Sequence, residues 1–307
     1  MRRPATATDP GLGAGNPVLR TSPLRRWARR RPVTAFLVVA LTLAWTNMLV
    51  PLLLGRGIGT FTLLGALLGG LVGGATLVTA VASGRAGVRH LFAGLVRWRI
   101  RPVTLVVAIG GIPALTVAFA WVSGGLVAPR EGWGHVVLAV VLTTLVNTVV
   151  VNLWEELGWT GFVQQRLMAR HGVLLGSVLT APAFAAIHWP LVFEEHGIRH
   201  TSWAYGLAYL GVLVLLAPFF RYLIGMIFTD TGGSTLAAGL VHGSLNAAGA
   251  MSVVPDAWQH VPAVVTLTLL LAGGRALARK RRPGRSGPAE PLATRQDGTP
   301  SRCRDPA

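Results

Sequence analysis

Acidic residues are scarce in this 307-residue chain: Asp and Glu number 11 against 28 Lys and Arg, and charged residues of both signs make up only 13%. A soluble protein of this length carries roughly 25% charged residues and amphipathic rather than uniformly apolar segments, so an ordinary soluble domain is excluded. Cysteine is nearly absent. The single Cys303 lies in a polar tail, which excludes an intrachain disulfide and a multi-cysteine zinc site. The formal charge of +17 comes without aromatic-basic interleaving or any nucleic-acid motif, so no nucleic-acid partner is read from it. A cleavable leader is not expected either, because the first apolar run is long enough to span a bilayer and is read as a retained span.

What is present is apolar: 52% of the residues are hydrophobic. Runs of roughly 20 residues, the length a bilayer core requires, recur at about 33–54, 61–82, 103–127, 135–166, 173–193, 203–228, 235–253 and 261–277. The fold class that follows is all-α, a polytopic membrane helical bundle of about eight transmembrane helices. Its organisation is a disordered basic arm (1–32), an integral membrane domain (33–278) and a disordered tail (279–307). Between the second and third runs, GRAGVRHLFAGLVRWRIRP is basic and amphipathic and is predicted to lie on the membrane surface. Of the 28 basic residues, 8 fall in residues 1–32, 5 in 84–101 and 9 in 275–307. Eight spans put those three segments on one side, which predicts both termini in the cytoplasm and contact with the anionic lipid of the bilayer.

Few polar groups fall inside the apolar runs, and a carboxylate at membrane depth costs several kcal/mol unless paired, protonated or hydrated. The adjacent pair Glu155 and Glu156 is therefore the feature that most needs a reason, together with His188, His242 and Asn246. His242 and Asn246 are one helical turn apart and share a face, as do Phe184 and His188. Glu155 and Glu156 lie about 100° apart around a helix and are predicted not to face one point. Glu155 and His188 sit about 16 and 17 residues on either side of the His171-Gly172 break, so an antiparallel pair of helices would bring them level, ~24 Å from the tip. Arg166 and Arg170 favour a cytoplasmic tip and push Glu155 inward, whereas hydropathy puts Glu155 near the cytoplasmic end of its span. Asn147, Asn152 and Arg221 are read as packing or interface residues, and Phe184 as core.

EELGW at Glu155 to Trp159, FAAIH at Phe184 to His188 and HGSLN at His242 to Asn246 resemble the three motifs of the CAAX-protease and bacteriocin-processing (CPBP) family of intramembrane endopeptidases. That family includes the type II CAAX prenyl proteases and lysostaphin-resistance-like proteins with the ABI domain. Its motifs are written EExxxR, FxxxH and HxxxN, and the resemblance covers about 134–253. The chain departs at Thr160, where the family has Arg. The resemblance implies a multi-pass protein of a bacterial-type cell membrane that hydrolyses a peptide bond of a membrane-associated substrate, prenylated or bacteriocin-like. In that reading Glu155 is the general base on a water, His188 holds the same water, and His242 and Asn246 bind the oxyanion. Glu156 is assigned to orientation or substrate contact.

Three alternatives stand beside it. Glu155, His188 and His242 could ligate zinc with one open position, although no HExxH is present and the metal-free reading uses every group. Thr160 motivates a catalytically weak or inactive relative serving as a membrane immunity or scaffold protein. A proton-coupled transporter would also use buried acids and histidines, but matching broken segments in the two halves are lacking.

Overall fold

The computed structural model describes residues 22–194, 197–255 and 259–281, and among them the secondary structure is entirely helical. A short helix α1 (Pro23–Arg30) leads into α2 (Pro32–Leu53), α3 (Thr60–Ala93) and α4 (Pro102–Val122). The run Trp133–Phe193 folds back at Gly172, whose φ of 78° and ψ of 170° leave the helical region, and so forms two antiparallel arms, α5 (133–171) and α6 (173–188). A 3-10 turn (Trp189–Phe193), the short α7 (Gly197–His200), and helices α8 (Trp203–Asp230), α9 (Thr235–Gly249) and α10 (His260–Lys280) complete the bundle.

Six of these stretches are long and apolar enough to cross a membrane, the folded run Trp133–Phe193 counting as one. The expected span at 235–253 is the exception. α9 has 15 residues, ~22 Å of helix against a bilayer core of ~30 Å, and eleven of its residues are buried. It is an internal helix, enclosed by α4, α5, α8 and α10, and its Ala, Gly and Ser side chains let those neighbours approach closely.

Two further expectations are corrected. The arm read as disordered contains α1, started by Pro23 and capped by Ser22 Oγ, which accepts from Arg25 N at 3.2 Å; residues 1–21 lie outside the described residues. The tail read as starting at 279 is helical through Lys280, and residues 282–307 lie outside the described residues. The basic stretch 84–101 continues α3, which bends at Gly84 (φ 65°, ψ −163°), with Arg85, Arg89, Arg97, Arg99 and Arg101 exposed and Leu91 buried.

Four contacts gather the charged segments at one end of the bundle. Arg29 Nε donates to Val81 O at 2.9 Å, the Thr235 amide to Gly94 O at 2.9 Å, Ser234 Oγ to Arg97 O at 2.7 Å, and Arg275 Nη1 to Asp230 Oδ2 at 3.2 Å. These residues form a collar. A Cβ on Gly161 would lie 3.5 Å from both Leu91 and Thr235 at that collar, so Glu155 and Glu156 are only ~8 Å further in. The hairpin beyond Gly161, with residues 169–172 exposed, continues past the collar. Both indications in the sequence thus hold: the basic tip is at the charged end, and the glutamates lie a short way beneath it.

Candidate active site

The glutamate pair sits on one and a half turns of α-helix, Leu153–Gly158, bracketed by π-helical turns at Thr148–Asn152 and Trp159–Gln164. Such turns, with i→i+5 hydrogen bonding, are concentrated at functional sites. Glu155 and Glu156 do approach one point, contrary to the helical-wheel expectation. Glu156 Oε1 accepts from His242 Nδ1 at 2.9 Å and Glu155 Oε2 lies 3.5 Å from the same nitrogen. Backbone directions 100° apart do not prevent this, because the imidazole stands between two side chains long enough to reach it from either flank.

The environments of the two acids differ sharply. The Glu156 side chain is 0% exposed and Glu155 is 18% exposed. Glu156 is held by Arg221, whose Nη1 donates to Oε1 at 2.9 Å and to Oε2 at 3.0 Å, and by the Thr160 hydroxyl, which donates to Oε2. Arg221 Nη2 donates to Thr160 Oγ1 at 2.6 Å and to Gln164 Oε1, and Nε donates to Gln164 Oε1 at 2.9 Å. All five guanidinium donors are engaged with Arg221 wholly buried. Arg221, read from the sequence as a packing residue, is therefore the counter-charge of the site. The helical period could not reveal it, since it comes from another helix 65 positions away.

Both histidines are fixed through Nδ1. His188 Nδ1 donates to Phe184 O at 2.7 Å, one turn back on α6, and His242 Nδ1 is turned to the carboxylates. This leaves Nε2 of each ring for a substrate or water, the arrangement by which a partner on one nitrogen sets the tautomer of the other. The Phe184 ring lies between them, with centroids 4.6 Å from His188 and 5.8 Å from His242. Glu155, His242 and Glu156 are the ionisable groups acting on His188. Asn246, exposed on α9, donates through Nδ2 to Oδ1 of the buried Asn152 at 3.2 Å. Asn152 thus has a partner in the site, which its reading as a packing residue missed; its spacing of three from Glu155 was the available signal. Asn147 keeps to its own helix, donating to Thr143 O at 2.9 Å.

All five residues predicted for the site, Glu155, Glu156, His188, His242 and Asn246, belong to this one cluster on α5, α6 and α9. Among the described residues, no three His, Cys, Asp or Glu side chains form a set that could hold a metal ion. The residues as placed do not fit zinc, and no step is routed through a metal.

Residues 137–248 match the family model described as type II CAAX prenyl endopeptidase Rce1-like. The matched segment contains all three motifs, and with the apolar helices it supports a protease-type function in an integral, multi-pass membrane protein. No curated protein matches the chain.

Proposed function

With its motifs inside the matched segment, this chain is placed in the CPBP family of intramembrane endopeptidases, and on that premise we propose that it hydrolyses a peptide bond of a membrane-associated substrate by means of a water activated by Glu155. The observation that carries this reading is the inequality of the two acids. Glu156 has its oxygens occupied by Arg221, Thr160 and His242, whereas Glu155 is partly exposed and adjoins His242. A base needs a carboxylate that can take a proton, and Glu155 is the one left to do so.

Glu155 removes a proton from the water as its oxygen bonds to the scissile carbonyl carbon, and His188 Nε2 orients that water; such positioned proton transfer is worth about 10²–10⁴ in rate. The oxyanion is met by Asn246, through the amide hydrogen not given to Asn152, and by Nε2 of His242. A His242 ring carrying hydrogen on both nitrogens, with Glu156 balancing its charge, donates from Nε2; one such donor is worth roughly 10²–10³. Collapse breaks the C–N bond, and the proton held by Glu155 passes to the leaving amine. Glu156 is assigned to orientation, since its burial keeps it from substrate.

The collar is proposed as the cytoplasmic face, with both termini on that side and the bilayer as the enzyme's medium. Membrane-impermeant maleimide should label Cys303 in lysed but not in intact cells. The first substrates to offer are prenylated and unprenylated forms of one C-terminal peptide, because the matched family's description names a prenyl endopeptidase. Purified protein should cleave at least one form, retain that activity after exhaustive chelation, and lose it on Glu155→Gln with an unchanged melting curve. Cleavage by the Glu155→Gln protein at the wild-type rate would reject Glu155 as base.

A further inference from the structure

We propose that Arg221 is the positioning residue of this site and that Thr160 and Arg221 form a functional unit: α8 supplies the cation that holds Glu156, and the small side chain at 160 gives the guanidinium its place. The inference rests on the peptidase reading for its kinetic part and on the geometry alone for its structural part.

The buried space is shaped around Arg221 from three helices. Gln164, on α5, accepts from the guanidinium through Oε1 and returns its amide to the Arg221 main-chain carbonyl at 2.7 Å and to Ser177 Oγ of α6 at 2.8 Å. Gly225, one turn after Arg221, has no side chain where one would collide: a Cβ there would be 2.6 Å from Gln164 Nε2 and 2.4 Å from Ser177 Oγ. The Thr160 hydroxyl accepts from Arg221 and donates to Glu156. A longer side chain at 160 would enter the volume the guanidinium fills.

The chain of contacts then runs outward. Arg221 fixes the Glu156 carboxylate, Glu156 fixes His242 Nδ1, and His242 is left with Nε2 toward the reacting carbonyl. Arg221 touches neither substrate nor water and acts through Glu156. A pair kept only for folding would be replaceable by uncharged side chains of similar size, because swapping both members of a buried ion pair for apolar groups is often neutral in stability. A positioning role makes a different demand: the fold can survive that replacement, but His242 loses its anchor.

The test compares wild type with the Glu156→Gln/Arg221→Met pair and with Thr160→Arg, Arg221→Ala and their double variant, reading melting temperature in detergent, kcat and KM. The neutral pair should melt near wild type with kcat at least about a hundredfold lower and KM little changed, the pattern of a lost transition-state interaction. Thr160→Arg alone forces two guanidinium groups into one filled space, and Arg221→Ala leaves Glu156 without a cation, so each should lower both melting temperature and kcat. Together they move the cation to the helix of the carboxylates and should recover at least about tenfold in kcat over either single change. Wild-type kcat in the folded neutral pair would overturn the positioning role. If that pair does not fold, the double variant decides: failure to exceed both single variants in melting temperature and kcat would overturn the unit. A wild-type protein that cleaves nothing would instead sink the peptidase reading, while rescue of the melting temperature by the double variant would still uphold the structural part.

Discussion

Asn246 Nδ2 donates to Asn152 Oδ1 at 3.2 Å, joining two helices across 94 positions of sequence. The bond fixes which way the Asn246 amide faces, because Asn152 offers its carbonyl oxygen and is itself 1% exposed. One amide hydrogen of Asn246 is committed, and the other is aimed by that commitment.

Removing the aimed donor should cost more than loosening it. Asn246→Ala is expected to lower kcat by about 10²–10³, the value of one oxyanion donor. Asn152→Ala leaves the donor in place but free to rotate and is expected to cost roughly 10–100-fold, since displacements near 1 Å reach 10²-fold. Steady-state kinetics with KM nearly constant in both would bear this out, and an Asn152 variant at full rate would not.

The two glutamates should separate stability from activity. Glu156→Ala strands the buried guanidinium of Arg221 and is expected to lose about 3–5 kcal/mol. Glu155→Gln, partly exposed and outside that network, should stay within about 0.5 kcal/mol of wild type while losing turnover. Denaturant titration in detergent beside peptide cleavage distinguishes the two.

Phe184 is the common neighbour of both imidazoles, and it also meets Trp159 at 5.8 Å and Phe220 at 5.9 Å. Phe184→Ala should therefore destabilise by about 3–5 kcal/mol, as aromatic truncations in a core do. Phe184→Leu, nearer in volume, should cost under about 1.5 kcal/mol. Melting curves of the two variants give the comparison.

Close approach of α9 to α5 depends on Gly243. A Cβ there would be 2.5 Å from Thr148 Oγ1 and 2.6 Å from the Thr144 carbonyl oxygen, and the second is main chain that cannot rotate away. Gly243→Ala is expected to cost about 1–3 kcal/mol. It should also lengthen the His242 to Glu156 contact, read as a kcat decrease beyond that of an alanine placed at the open position Gly273.

The helical class and the five site residues were legible because apolar runs and i, i+4 spacing are properties of a single helix. Arg221 and Asn152 were not, because their meaning lies in side chains contributed by other helices, and a lone Arg near the end of an apolar run also suits an interface. α9 misled for a related reason: its composition is that of a span, but Gly239 and Gly243 mark burial against protein, and hydropathy does not separate burial in protein from burial in lipid. Likewise α1 was hidden by five arginines in eight-odd residues, a charge density that argues for disorder until a second segment is there to pack on.

The π-helical turns on either side of Leu153–Gly158 carry a consequence for sequence change of another kind. Each accommodates one residue more than an α-turn would, so each sets the angular phase of the glutamates against α9. Deleting a single residue from Thr148–Asn152 would let that turn relax to i→i+4 and rotate Glu155 and Glu156 together by about 100°, away from His242, with no functional side chain altered. In this molecule chain length on that short stretch is itself a determinant of chemistry, and a one-codon deletion at an unremarkable valine would be as inactivating as loss of a motif residue.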